Sequence, residues 1–102
     1  MTKRPPRARF TVEAEKDLLR LYDFLLERNV DAAAEALEAI ESGVELARQT
    51  PYSCRKALPS DPFLRELVIP FGSSGYIALF RIDRSRGITV LAVRHQREDD
   101  YS

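Results

Sequence analysis

Residues 64–97 leave this chain the fewest choices of fold. Three runs rich in β-branched and aromatic residues, at 64–71, 76–83 and 88–95, are separated by turn-forming segments, the signature of an antiparallel three-strand meander. Gly72-Ser73-Ser74-Gly75 is expected to close the first hairpin. Asp83-Arg84-Ser85-Arg86-Gly87 is expected to close the second, with Gly87 available for a positive φ. In the middle strand Tyr76, Ala78, Phe80 and Ile82 share one face, and Ile77, Leu79 and Arg81 the other. In the last strand Ile88, Val90 and Ala92 alternate with Leu91 and Val93. A sheet apolar on both faces has to be covered on both.

The upstream half supplies cover for one face. Ala8, Phe10 and Val12 alternate with Arg7, Arg9 and Thr11, which predicts a short edge strand. Thr11 is placed to cap a helix over residues 12–28, whose apolar stripe Ala14, Leu18, Leu21 and Leu25 is widened by Leu19, Tyr22 and Leu26. Asn29 ends it and Asp31 caps a second helix to residue 48, with Ala33, Leu37, Ile40, Val44 and Ala47 on one side. Thr50-Pro51 stops the helical hairpin, and residues 51–63, with Pro51, Pro59 and Pro62, read as a long loop. The expected fold is α+β in the order β-α-α-β-β-β, a helical hairpin on a small, mostly antiparallel sheet. Residues 1–6 read as a flexible arm and 7–102 as one domain. The second sheet face, left without helices, is a candidate partner surface.

Charge narrows the function. The 102 residues carry no net charge, which argues against binding nucleic acid through bulk electrostatics. The distribution is uneven: residues 11–50 sum to −6 and residues 51–102 to +2, so an acidic helical half faces a basic sheet half. That reads either as two solvated faces or as a basic surface aimed at an acidic partner. A single cysteine, Cys54, allows no internal disulfide and fits a reducing compartment. The basic start, Met1-Thr2-Lys3-Arg4, has no apolar segment behind it, and no run approaches the roughly 20 apolar residues of a membrane span, so a cytoplasmic protein is expected.

The element order, the segment Phe10-Thr-Val-Glu-Ala-Glu-Lys-Asp-Leu18, Leu64-Arg-Glu-Leu67, Gly75-Tyr76-Ile-Ala-Leu-Phe-Arg-Ile82 and Ile88-Thr-Val-Leu-Ala-Val-Arg-His-Gln-Arg97 together resemble the RelE/ParE superfamily of toxins from type II toxin–antitoxin systems. The resemblance covers residues 7–101. It implies a cytoplasmic toxin silenced by a cognate antitoxin, with no cofactor. It also divides into two activities. RelE-like members cut mRNA in the ribosome; ParE-like members inhibit DNA gyrase by binding. RelE-like nucleases are similar to this chain around Ser73-Ser74-Gly75-Tyr76. They carry an arginine where this chain has Ile77 and lysines where it has Val68 and Pro70, and they are strongly basic. The ParE-like activity is therefore expected, with no sequence-specific contact to nucleic acid. The mRNA nuclease is the alternative, and a member that only binds its antitoxin is a third.

Candidate site residues follow from the charged end of the last strand. His95, the only histidine, reads as a general base or as a strand-end cap bonded to the backbone. In the nuclease reading Arg97, on the same strand face, is the phosphate clamp and Tyr101 an auxiliary. Arg65, Arg94 and Arg97, with Arg55 and Lys56, are candidates for one target-binding patch around His95. Arg81 is expected opposite Thr89, roughly 20 Å from His95 at strand spacing, paired with an acid such as Asp83 or Glu66. Cys54 has no histidine or second cysteine near it in sequence, so no metal is expected.

Overall fold

A computed structural model describes residues 7–97. Five strands form one sheet in the order β1-β5-β4-β3-β2: β1 Ala8–Phe10, β2 Arg55–Leu58, β3 Asp61–Phe71, β4 Ser74–Ile82 and β5 Ile88–His95. Helices α1 (Val12–Leu26) and α2 (Val30–Gln49) form a hairpin over one face of it. The α+β architecture is the expected one. The loop expected at 51–63 is in part a strand. After a single 3-10 turn, Pro51–Ser53, β2 pairs antiparallel with β3, with Arg55 opposite Glu66 and Lys56 opposite Arg65. Three prolines hid this strand, but Pro59 lies just beyond β2, and Pro62 stands near the start of β3, where a missing donor costs little. The order is therefore β-α-α-β-β-β-β.

The turns differ from expectation in detail. Phe71 pairs with Ser74, so the first hairpin loop is the two residues Gly72-Ser73, with Gly72 at φ 61 in the first central position that such turns give to glycine. In the second loop the positive φ falls on Arg86, at 69, and not on Gly87. Gly87 serves a different need: a Cβ there would lie 2.5 Å from the Arg7 carbonyl oxygen, so its bare backbone lets β1 approach β5.

The core lies between the helices and the face carrying Tyr76, Ala78, Phe80 and Ile82. Phe80, Ile88, Val90 and Val93 are its largest fully enclosed side chains. Each large apolar side chain so enclosed contributes roughly 1.5–3 kcal/mol. Ala14 and Leu21 of α1 and Ala33, Ala36, Ile40, Val44 and Ala47 of α2 close it from above. Leu19, expected in the stripe, is 60% exposed. Asn29, not Asp31, caps α2, accepting from the Ala32 N–H at 3.1 Å.

The strict alternation expected in β5 is broken by a bulge. The register shifts between Leu79 and Phe80 of β4, so that Phe80 pairs with Val90 and Leu79 with Ala92. The extra residue, Leu91, sends Ala92 to the outer face with Leu79 and turns Val93 into the core with Ala78. Beyond Phe10 no strand flanks β5 on the β1 side, and there α1 and its cap supply partners. The Thr11 N–H donates to the Val90 carbonyl at 3.0 Å and the Thr11 hydroxyl to the Leu91 carbonyl at 3.3 Å. The Asp17 carboxylate accepts from the Val93 N–H at 2.9 Å. The same Thr11 oxygen accepts from the Ala14 N–H at 3.1 Å, as the expected cap.

Removing the Asp17 acceptor strands an N–H beside the core. Asp17→Ala is expected to lower unfolding free energy by about 1–3 kcal/mol in urea titration, and Asp17→Asn, which keeps an acceptor oxygen, by less than half of that.

Candidate functional site

The sheet pairs His95 with Tyr76 on the helix side, next to the mouth of the first hairpin. An open cleft of about 780 Å³ lies there, between the second half of α1 and the Gly72-Ser73 turn. Leu21, Phe24, Leu25 and Phe71 give it apolar walls; Arg20, Ser74, His95 and Arg97 give it polar points. The position of each follows from local structure. Arg20 and Phe24 are one helical turn apart on α1. Ser74 and Tyr76 alternate to the same face of β4, and the strand partner of Tyr76 is His95. The Gln96 N–H donates to the Gly75 carbonyl at 2.8 Å, which holds the chain leaving β5 against the start of β4.

His95 is fixed on three sides. Its Nε2 lies 3.0 Å from the Ser74 hydroxyl. Its Nδ1 accepts the Arg97 backbone N–H at 3.1 Å. Its ring stands edge-on to Tyr76, with centroids 5.5 Å apart. A backbone N–H can only donate, so Nδ1 carries a lone pair, and in the neutral ring the proton sits on Nε2 and is donated to Ser74 Oγ. General-base work at Nε2 requires the other tautomer, which would set an N–H against the Arg97 N–H. The strand-end cap is thus the role the hydrogen bonds describe. Burial raises the Tyr76 phenol above its ordinary value, so this ring stays neutral beside the histidine.

The other expected residues are spread over the molecule. Arg97 lines the cleft, exposed. Tyr101 lies outside the described residues, as do residues 1–6 and 98–102. Arg94 pairs with Ile77 and so occupies the outer face, on the other side of the sheet from His95. Arg65 pairs with Phe80, four positions along β4 from Tyr76, and is turned to the Pro51–Ser53 turn. Its guanidinium donates to the carbonyls of Pro62 at 2.9 Å and Cys54 at 2.8 Å, and lies 5.3 Å from the Tyr52 ring centroid. Arg55 bonds Glu66 at 3.1 Å on the outer face. The structure therefore brings His95 and Arg97 together, and does not gather Arg65, Arg94 and Arg55 around them.

Arg81 stands opposite Thr89 as expected, five residues from Tyr76 and so about 17 Å from the histidine end. Its partner is Asp61 at 3.2 Å, not Asp83 or Glu66, because β3 begins earlier than the sequence pattern suggested. The Asp61 carboxyl is held below the usual carboxylate range, first by the Phe63 N–H and then by Arg81. Burial pushes the Cys54 thiol up, so it is mostly protonated near neutral pH. Among the described residues no group of three or more His, Cys, Asp or Glu side chains is placed to hold a metal ion, and no helix is long and apolar enough to cross a membrane.

The outer face bears one further feature. Val68, Ile77 and Arg94 form a single cross-strand row across β3, β4 and β5. Two of its three side chains are aliphatic, Ile77 being 5% exposed and Val68 38%. Sequence reasoning missed Ser74 and Arg20 as cleft residues. A four-residue turn placed Ser74 in a loop; the signal that finds it is the alternation Ser74, Tyr76, Ala78 once the turn is shortened to two.

Comparison with known proteins places these observations. The sequence model of the ParE toxin of type II toxin–antitoxin systems, parDE, matches residues 8–100. The chain is 33% identical to Toxin RelE1 of Caulobacter vibrioides over 72 residues, 71% of this chain and 74% of that one. It is 33% identical to Toxin RelE3 of the same organism over 86 residues, 83% of this chain and 88% of that one. Among solved structures, the chromosomal ParDE toxin–antitoxin system from P. aeruginosa contains a chain that superposes with a TM-score of 0.70. It covers 89% of this chain and 96% of its own length at 21% identity, a likeness of fold.

Two outcomes are expected from this geometry. Long-range ¹⁵N–¹H correlation spectra of the neutral His95 ring will show the proton on Nε2. For Asp61 the folded state favours the ionised form, so its contribution is present above the unfolded carboxylate value near 4 and is lost as pH falls below it. Asp61→Asn is accordingly expected to flatten the fall in melting temperature between about pH 5 and pH 3.

Proposed function

The chain belongs to the ParE toxin family of type II toxin–antitoxin systems, and from that premise we propose that it acts in the cytoplasm by binding DNA gyrase and inhibiting it. It is the toxin of a toxin–antitoxin pair, and its cognate partner is an antitoxin. The observation that carries the gyrase reading is the outer-face row. Metal-free RNA cleavage needs cations against the scissile phosphate. RelE-like nucleases carry theirs at the positions of Val68, Pro70 and Ile77. In this chain Val68 and Ile77 are directly paired neighbours, so two of those positions form a continuous aliphatic strip beside Arg94. An apolar strip edged by arginine suits a protein surface better than a phosphodiester.

The second reading, an mRNA nuclease, has an observation of its own. His95 and Arg97 share one cleft with Arg20, and both curated relatives bear the RelE name. The hydrogen bonds of His95 speak against it, since Nε2 already donates to Ser74.

The two readings separate with purified protein. The toxin is expected to inhibit supercoiling by DNA gyrase in a concentration-dependent way and to leave ribosome-bound mRNA intact. His95→Gln should change gyrase inhibition less than about threefold, whereas loss of a true general base would cost a nuclease roughly 10²–10⁴-fold. Ribosome-dependent cuts that disappear in His95→Gln and Arg97→Ala would reverse the assignment. Inertness in both assays, with antitoxin binding retained, would leave a member whose remaining activity is that binding.

A further inference from the structure

The end of the molecule opposite the His95 cleft has no part in the function proposed above. There a second open hollow of about 610 Å³ lies between the C-terminal turn of α2, the Pro51–Ser53 turn and the β4–β5 loop. Two aromatic rings line it and both stand in water, Tyr52 58% exposed and Phe63 47%. Large aromatic side chains left this open in pairs mark a surface that expects flat apolar contact.

The charges beside the rings are of two kinds. Arg48 is committed to Glu45, 2.6 Å away. Arg84 and Arg86, in the loop after β4, are exposed and make no ion pair within the described residues. The acid of the hollow, Asp83, has both carboxylate oxygens within reach of the Thr89 hydroxyl, at 3.1 and 2.9 Å, and so is turned toward β5. Two uncommitted guanidinium groups next to two exposed rings match the needs of a ligand that alternates a flat base with a phosphate.

We propose that this hollow binds single-stranded nucleic acid, with bases stacked on Tyr52 and Phe63 and phosphates held by Arg84 and Arg86. A duplex keeps its base faces covered by its own stacking, so the rings can reach only unpaired bases. An acidic peptide would engage the two arginines through its carboxylates but leave both ring faces in water. Stacking and phosphate contact are tolerant of sequence, and a chain without net charge gives them no long-range help. The binding is therefore weak, local and only shallowly dependent on salt. It stands apart from the gyrase reading, because it uses neither the His95 cleft nor the Val68–Ile77 strip.

The test uses the full-length chain and fluorescein-labelled oligo-dT and oligo-rU of about 12 nucleotides, read by anisotropy from roughly 25 to 200 mM salt. Saturable binding is expected, with log K falling against log salt at a slope of about −1.4 for two neutralised phosphates. Arg84→Gln with Arg86→Asn should flatten that slope and weaken binding; asparagine tolerates the φ of 69 at position 86. Phe63→Ala should weaken binding about tenfold at every salt concentration and leave the slope unchanged. Because Tyr52 also meets Arg65, its replacement is judged only beside an unchanged melting curve, and Phe63→Ala carries the test alone. A preference for the DNA or the RNA strand names the natural source, and equal binding supports the shared chemistry. No binding at low salt, binding indifferent to these variants, or equal competition by a poly-glutamate peptide would overturn the proposal. Gyrase inhibition, measured on the same variants, reports separately on the other reading.

Discussion

The structure depends on how the side of β5 that β1 leaves open after Phe10 is satisfied. An extra residue at Leu91 turns Val93 into the core and Ala92 away from it. Beyond Phe10 that side of β5 has no strand partner, and each backbone group left unpaired in the interior costs about 1–3 kcal/mol. The first turns of α1 remove that cost: Thr11 serves the carbonyls of Val90 and Leu91, and Asp17 serves the Val93 N–H. The helix is thereby fixed over the sheet in one position by directional bonds, which apolar packing alone would not achieve. Because Thr11 also caps α1, one side chain ties the start of the helix, the edge strand before it and the last strand together.

From this anchor two candidate faces follow. With α1 held over β5, its second half overhangs the start of β4, and the space beneath becomes the cleft walled by Phe24, Leu25 and Phe71. The same bulge decides what the outer face carries, since it delivers Ala92 and Arg94 there beside Leu79 and Ile77. A toxin of this family is paired with an antitoxin. This fold offers a walled groove on one side and an aliphatic strip edged by Arg94 on the other.

The meander was legible because period-two patterning in β3, β4 and β5 is strong and the second turn has its expected five residues, with Ile82 opposite Ile88. The helices were legible for the same reason, at their own period. Three things were not. The strand β2 is short, mostly exposed and flanked by prolines, so nothing in its pattern distinguishes it from a loop. The bulge has no local signature; alternation in residues 88–95 reads equally well without it, and only the pairing of Leu79 with Ala92 and Phe80 with Val90 shows that it is there. The charge partners were misplaced where register mattered: Arg81 reaches Asp61 on the neighbouring strand, and Arg65 turns to the carbonyls of Pro62 and Cys54. At the candidate site His95 and Arg97 were visible as lone chemistry at a strand end. Their partner Ser74 was hidden by a turn two residues shorter than it looked.

The pairing of β1 with β5 reaches beyond packing. These strands, near the two ends of the described chain, are neighbours and parallel, and Thr11 and Leu91 bond across 80 residues of sequence. Contacts of such high order form late, because the loop they close must first lose its freedom. During synthesis the helical hairpin emerges first but has nothing to cover: the floor of its core is β4 and β5, which emerge after it. A nascent chain of this kind acquires the surfaces of a toxin only after β5 has appeared, and until then an antitoxin that recognises the finished fold has nothing to seize.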